Sequence, residues 1–159
     1  LLISLITRSL KQKQGLEMKK VIIAASIAFL LSSLPTIANA DMLSTAKKYV
    51  GLTERGHTAT IKQLIGANPR STKWCGLFIK AIAKKNGKKI PSNPASSQSW
   101  KQVGVKISKP KPGDIAILSS HVTIFTRYKN GRMCGVGGNQ SNSVQESCYS
   151  SKRISFRRL

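Results

Sequence analysis

Three cysteines and two histidines hold the reactive side chains of this 159-residue sequence: Cys75, Cys134 and Cys148, with His57 and His121. A cysteine nucleophile needs a base, usually an imidazole, and a third group to orient the ring. In an oxidising compartment two of three thiols are expected to pair and one to remain. Cys134 and Cys148 flank GGNQSNS, residues 137–143, a Gly/Asn/Ser cluster that reads as a turn between two strands. They lie almost symmetrically about that turn, so they can face each other. A bridge there closes a loop of about 15 residues and contributes ~3 kcal/mol on the chain-entropy view. Cys75 is then the odd thiol. Either it is a small buried hydrophobe or it is the nucleophile.

The elements around Cys75 favour chemistry. Ser71 or Thr72 can cap a helix that Gly87 ends, with Lys84 and Lys85 in its last turn. Trp74, Leu77, Phe78, Ala81 and Ile82 form its apolar stripe. Cys75 falls in the first turn, where unpaired backbone N–H groups and the helix dipole favour an anion such as a thiolate. Two shorter helices are expected upstream, one over residues 41–54 ended by Gly51 and one over 58–71 broken at Gly66. Residues 90–114, rich in Pro and Ser, read as a surface crossing with a helical turn near 97–102. From Asp114 onward DIAILSS, HVTIFTRY, RMCGVGG and VQESCYS read as strands, and RISFRR as a closing edge strand. Helices followed by a meander of strands make an α+β domain.

His57 sits in a glycine-flanked loop, whereas His121 opens a strand beside the hairpin signal KNG, residues 129–131. A three-residue loop places His121 opposite Asn139; a two-residue loop places it opposite Gln140. Either amide can accept from an imidazole N–H, and a one-residue slip reverses the strand face. Local counting leaves the partner open.

Four motifs recur in one order: KWCGLFIKAIAKKNG, SQSWKQVG, KPKPGDIAILSSHVTIF and GGNQSNSV. In them the chain resembles the NlpC/CHAP superfamily of cell-wall hydrolases, and most of all a short CHAP-like group with W-C, P-G-D-I, H-V and G-G-N-Q. The match runs over nearly all of residues 41–159. The resemblance implies a papain-like α+β fold with helices packed on an antiparallel sheet. Carried over by motif, it implies Cys75 as nucleophile, His121 as base and Asn139 as the orienting residue, with Trp74, Gly76 and Gln140 near the substrate. Ser120 and Thr123 stand where the group usually has glycine, and Gly76-Leu77 replaces a common Ala-Ala. The implied reaction is hydrolysis of an amide in a peptidoglycan stem peptide, by an amidase or an endopeptidase, through a thioester. No metal or cofactor is expected, since the histidines and acidic residues show no ligand spacing.

Residues 18–40 read as a secretory signal peptide: Met18-Lys19-Lys20, an apolar run from Val21 to Leu34, then Pro35 and Ala38-Asn39-Ala40. Residues 1–17 read as upstream sequence or an extended basic region. Residues 41–159 then form a single domain, expected to be monomeric and periplasmic or secreted. They hold 22 basic and 4 acidic residues, a net charge of +18. Such charge points to anionic envelope polymers beside peptidoglycan, and leaves room for a protein inhibitor. Nucleic acid is disfavoured, because the basic residues do not interleave with stacking aromatics. The competing expectation is a catalytically weak, cationic wall-binding module.

Overall fold

The structure, a computed structural model, describes residues 41–159. The segments read as upstream sequence and signal peptide lie outside the described residues. Three α-helices come first: α1 (Met42–Lys47), α2 (Thr58–Ile65) and α3 (Cys75–Lys85). A 3-10 turn (Gln98–Gln102) follows. Then come six strands: β1 (Val105–Ile107), β2 (Ile115–Ile117), β3 (Val122–Lys129), β4 (Arg132–Gln140), β5 (Ser143–Ser150) and β6 (Ser155–Arg158). They form one sheet in the order β1-β6-β2-β3-β4-β5, with every pairing antiparallel. The α+β expectation holds at this level.

Local chemistry accounts for most boundaries. Asp41 caps α1, its carboxylate accepting from the Ser44 N–H at 2.7 Å. Gly66, at φ 75°, ends α2 in the left-handed conformation. The third helix starts later than the Ser71/Thr72 reading, with Trp74 at its N-cap and Cys75 as its first residue. The β3–β4 and β4–β5 hairpins use two-residue turns with positive φ throughout, Asn130-Gly131 (51° and 71°) and Ser141-Asn142 (51° and 58°). All of GGNQ therefore belongs to β4 rather than to a turn. The strand β6 is not an edge: it lies between β1 and β2, and the edges are β1 and β5.

The helices cover one face of the sheet. Ala46, Ile61, Ile65, Trp74, Phe78 and Ile82 meet Ile115, Ile117, Val122, Ile124, Val136 and Val144 in one core. A second cluster holds Ala116, Phe125, Met133 and Phe156, joined by Leu118 and Tyr149. Neighbours along β2 and β3 alternate between the two clusters, as a period of two requires. Cys134 and Cys148 face each other in the β4–β5 register and form the expected disulfide. The motif Pro-Gly-Asp is structural. Asp114, buried, accepts from the Lys111 N–H at 2.7 Å and from the Arg158 guanidinium at 2.8 and 2.7 Å, tying the last strand to the turn before β2.

Thr123 adds a point of stored instability. Its side chain is fully buried, its hydroxyl has no hydrogen-bond partner, and it fills space left by Gly135 and Gly137. A buried unpaired hydroxyl costs about 1–3 kcal/mol. Thr123→Val keeps the shape and deletes that group. It is expected to stabilise the fold by ~1 kcal/mol, read as a higher denaturant midpoint with an unchanged slope.

Candidate active site

Cys75 is the free thiol among the described cysteines, 6 % exposed, at the first position of α3. Two contacts hold that end of the helix. Trp74 is fully buried; its indole N–H donates to Glu54 Oε1 at 2.7 Å, and its ring packs where a side chain at Gly138 of β4 would stand. Gly76 lies against the chain at Pro94-Ala95: a Cβ there would come within 2.2 Å of the Pro94 carbonyl oxygen. Its missing side chain thus serves close packing of the 94–95 segment. Trp74 seats the helix and offers no surface to a substrate, contrary to the expectation for that residue.

His121 precedes β3, and its Nε2 lies 3.0 Å from Gln140 Oε1. Gln140 is 3 % exposed, and its amide nitrogen donates to the carbonyls of Gly135 and Gln145. Those two acceptors leave the amide one orientation, with Oε1 toward the ring. A carbonyl oxygen only accepts, so in the neutral ring Nε2 carries the proton and Nδ1 holds a free lone pair. The arrangement fixes the tautomer of the ring.

The partner is therefore Gln140 and not Asn139, for a reason that lies in two register shifts. The hairpin turn pairs Lys129 with Arg132, but an irregularity between Phe125 and Arg127 moves the pairing by one, to Phe125↔Gly135 and Ile124↔Val136. Continued alone, that count returns Asn139 to His121. A second irregularity, between Gly137 and Gln140 in the β4–β5 ladder, coincides with Asn139 at φ 58°. The extra residue rotates the strand, and the next side chain, Gln140, takes the ring-facing place. Asn139 instead lines a cavity of about 260 Å³ with Glu54, Arg70, Thr72, Lys73 and neighbouring residues, just ahead of Cys75 in the chain.

Tyr149 joins the constellation without having been expected from sequence. Its ring packs tilted on His121, with centroids 5.4 Å apart. Partial burial raises the phenol above its ordinary value; Ser147 opposes this, and negative charge at Cys75 adds to it. Tyr149 is thus a neighbour of His121. No hydrogen bond joins Cys75 Sγ to His121 among the described residues; catalytic hydrogen bonds often tighten only with substrate bound. His57 stands apart as the N-cap of α2, its Nδ1 accepting from the Thr53 N–H at 3.2 Å. A groove of about 620 Å³ between α2 and α3, bordered by Lys80, Lys84 and Lys85, shares no residue with this site. No group of His, Cys, Asp and Glu among the described residues could hold a metal ion.

Burial lowers the His121 pKa from its ordinary 6.5, and the hydrogen bond to Gln140 partly offsets that by raising it. The neutral ring therefore persists below pH 6.5, and the acid limb of any activity that needs it unprotonated is expected below that value. Gln140→Ala removes the raising contribution and should move the limb further toward acid. For stability the sign is that of a depressed cation. The contribution of neutral His121 is complete above pH 6.5 and falls away as pH drops from there through the folded-state value. NMR titration of the His121 ring protons beside a pH–rate profile checks both.

Compared with known proteins, the sequence matches no family model and no curated protein.

Proposed function

We propose that this chain is an exported cysteine hydrolase of the papain-like NlpC/CHAP type that cleaves amide bonds in peptidoglycan stem peptides. The observation carrying the reading is the His121–Gln140 pair. A half-buried imidazole with a fixed Nε2–H and an open Nδ1 is what a cysteine nucleophile requires of its base. Cys75, unpaired at a helix start, is the nucleophile that fits it. Motif order supplies the substrate class, and the Cys134–Cys148 disulfide agrees with life in an oxidising compartment.

In the proposed reaction Nδ1 of His121 takes the Cys75 proton and the sulfur attacks the stem-peptide carbonyl carbon. The oxyanion is met by the Cys75 backbone N–H. Collapse breaks the C–N bond, and His121 protonates the departing amine. Water, deprotonated by the same ring, then hydrolyses the thioester and restores the thiol. Gln140 holds the ring throughout. Its near-complete burial assigns it orientation rather than substrate contact.

The test is digestion of purified peptidoglycan by the protein and by its Cys75→Ala variant, with mass spectrometry of the released fragments. Thiol-dependent release establishes the hydrolase, and the new termini name the bond. Binding to several wall chemistries without release would instead make the chain a cationic wall-binding module.

A further inference from the structure

A second cavity, about 290 Å³, lies beside the candidate site and is lined by Leu118, Ser119, Tyr149, Ser150, Lys152 and Arg153. We propose that it is a carboxylate subsite, holding an acidic group of the substrate next to the amide that Cys75 attacks. The inference rests on the hydrolase reading for its role and on the cavity itself for its chemistry.

Topology puts this cavity where it is. The strand β5 is an edge, yet the next strand, β6, pairs with β2 with Ile117 opposite Ser155. The connection from β5 to β6 therefore carries Lys152 and Arg153 to the loop that leaves β2, at Leu118 and Ser119. That loop ends on His121. Tyr149 is the shared wall: it lines the cavity and packs on the His121 ring. A group seated here is a neighbour of the proposed base.

The chemistry is cationic and uncompensated. Each acidic residue of segment 41–159 is engaged elsewhere: Asp41 caps α1, Glu54 accepts from Trp74, Asp114 pairs with Arg158, and Glu146 pairs with Arg127 at 2.6 Å. None lines the cavity, so two cationic residues and two serines line it without an internal anion. Arg153 has φ 57°, a backbone position that glycine or asparagine takes more easily. The cavity lies at the small end of ligand pockets, which suits one acidic residue of a peptide and not a polymer. Arginine and lysine together with hydroxyl donors are suited to a carboxylate.

The experiment uses the Cys75→Ala protein, which binds without turnover, titrated calorimetrically with a stem peptide bearing a free carboxyl and with the same peptide amidated there. The free acid is expected to bind at least tenfold more tightly. Lys152→Ala combined with Arg153→Gly should erase that difference while leaving the circular dichroism and Tm unchanged; glycine suits the φ at 153. Equal affinities for acid and amide, no measurable binding of either, or a preference that survives the double substitution would overturn the subsite. Cleavage by the native protein separates the two readings. Active enzyme indifferent to amidation sinks the subsite and keeps the hydrolase. An acid preference in binding, without cleavage of any wall, keeps the anion site and sinks the hydrolase.

Discussion

Replacing Cys75 by alanine is expected to lower kcat/KM on peptidoglycan by at least ~10⁴-fold, because the thioester-forming step of the proposed reaction then has no nucleophile. The fold should survive. One sulfur leaves a site at the start of α3, where Trp74 and the Gly76 packing against Pro94 still seat the helix, and the cost is ~1 kcal/mol or less. Cys75→Ser is a sharper control. It keeps size and polarity but offers a neutral hydroxyl, so it should fall nearly as far as alanine. His121→Ala should match both, and combining it with Cys75→Ala should add little, since residues acting as one unit are not additive. Release assays with folded-state checks by Tm read all four. Residual activity above a few per cent in Cys75→Ala would mean that another group does the chemistry.

Gln140 and Asn139 give the second test, and the two readings of the β-hairpin diverge on it. Gln140→Ala frees the His121 ring and leaves the Gly135 and Gln145 carbonyls without their donor. Misplacing a catalytic group by about 1 Å can cost ~10²-fold in rate, and kcat is expected to fall by about that factor. Stability should fall too, by roughly 1–3 kcal/mol for the unsatisfied buried groups. Asn139→Gly should leave kcat within a few-fold, because glycine accepts the left-handed φ of 58° and the ring contact is made by its neighbour. Reversal of that order, with Asn139→Gly crippled and Gln140→Ala active, would restore the orienting role to Asn139.

Much of the architecture was readable because its signals are local. The apolar stripe of α3, the glycine that ends α2 and the Asn130-Gly131 turn each act within a few residues. The leftover thiol was readable from cysteine spacing, and the disulfide from symmetry about a turn. What escaped depends on distant pairing. The strand β1 is three residues long in a polar stretch and exists through its pairing with the chain end, Val105 opposite Arg158. That same pairing, with β2 on the other side, draws β6 into the sheet interior. The choice between Asn139 and Gln140 turned on two irregularities whose positions no propensity reports, one near Thr126 and one at Asn139. Tyr149 reaches His121 from the far edge strand, so neither spacing nor turn chemistry could link them. Trp74, beside Cys75 in the chain, carries its meaning in the Glu54 hydrogen bond and the space at Gly138.

The scarcity of carboxylates has a consequence for any work on adhesion. With four acidic residues against 22 basic ones, protonating every carboxylate moves the charge of segment 41–159 only from +18 to +22. Lysine and arginine do not titrate until well above neutrality. From mildly acid to mildly alkaline solution this segment thus behaves as a nearly constant positive probe. In the proposed envelope role, a change in attachment over that range would report mainly the ionisation of the surface touched, and ionic strength, rather than acidity, would be the variable that tunes the grip.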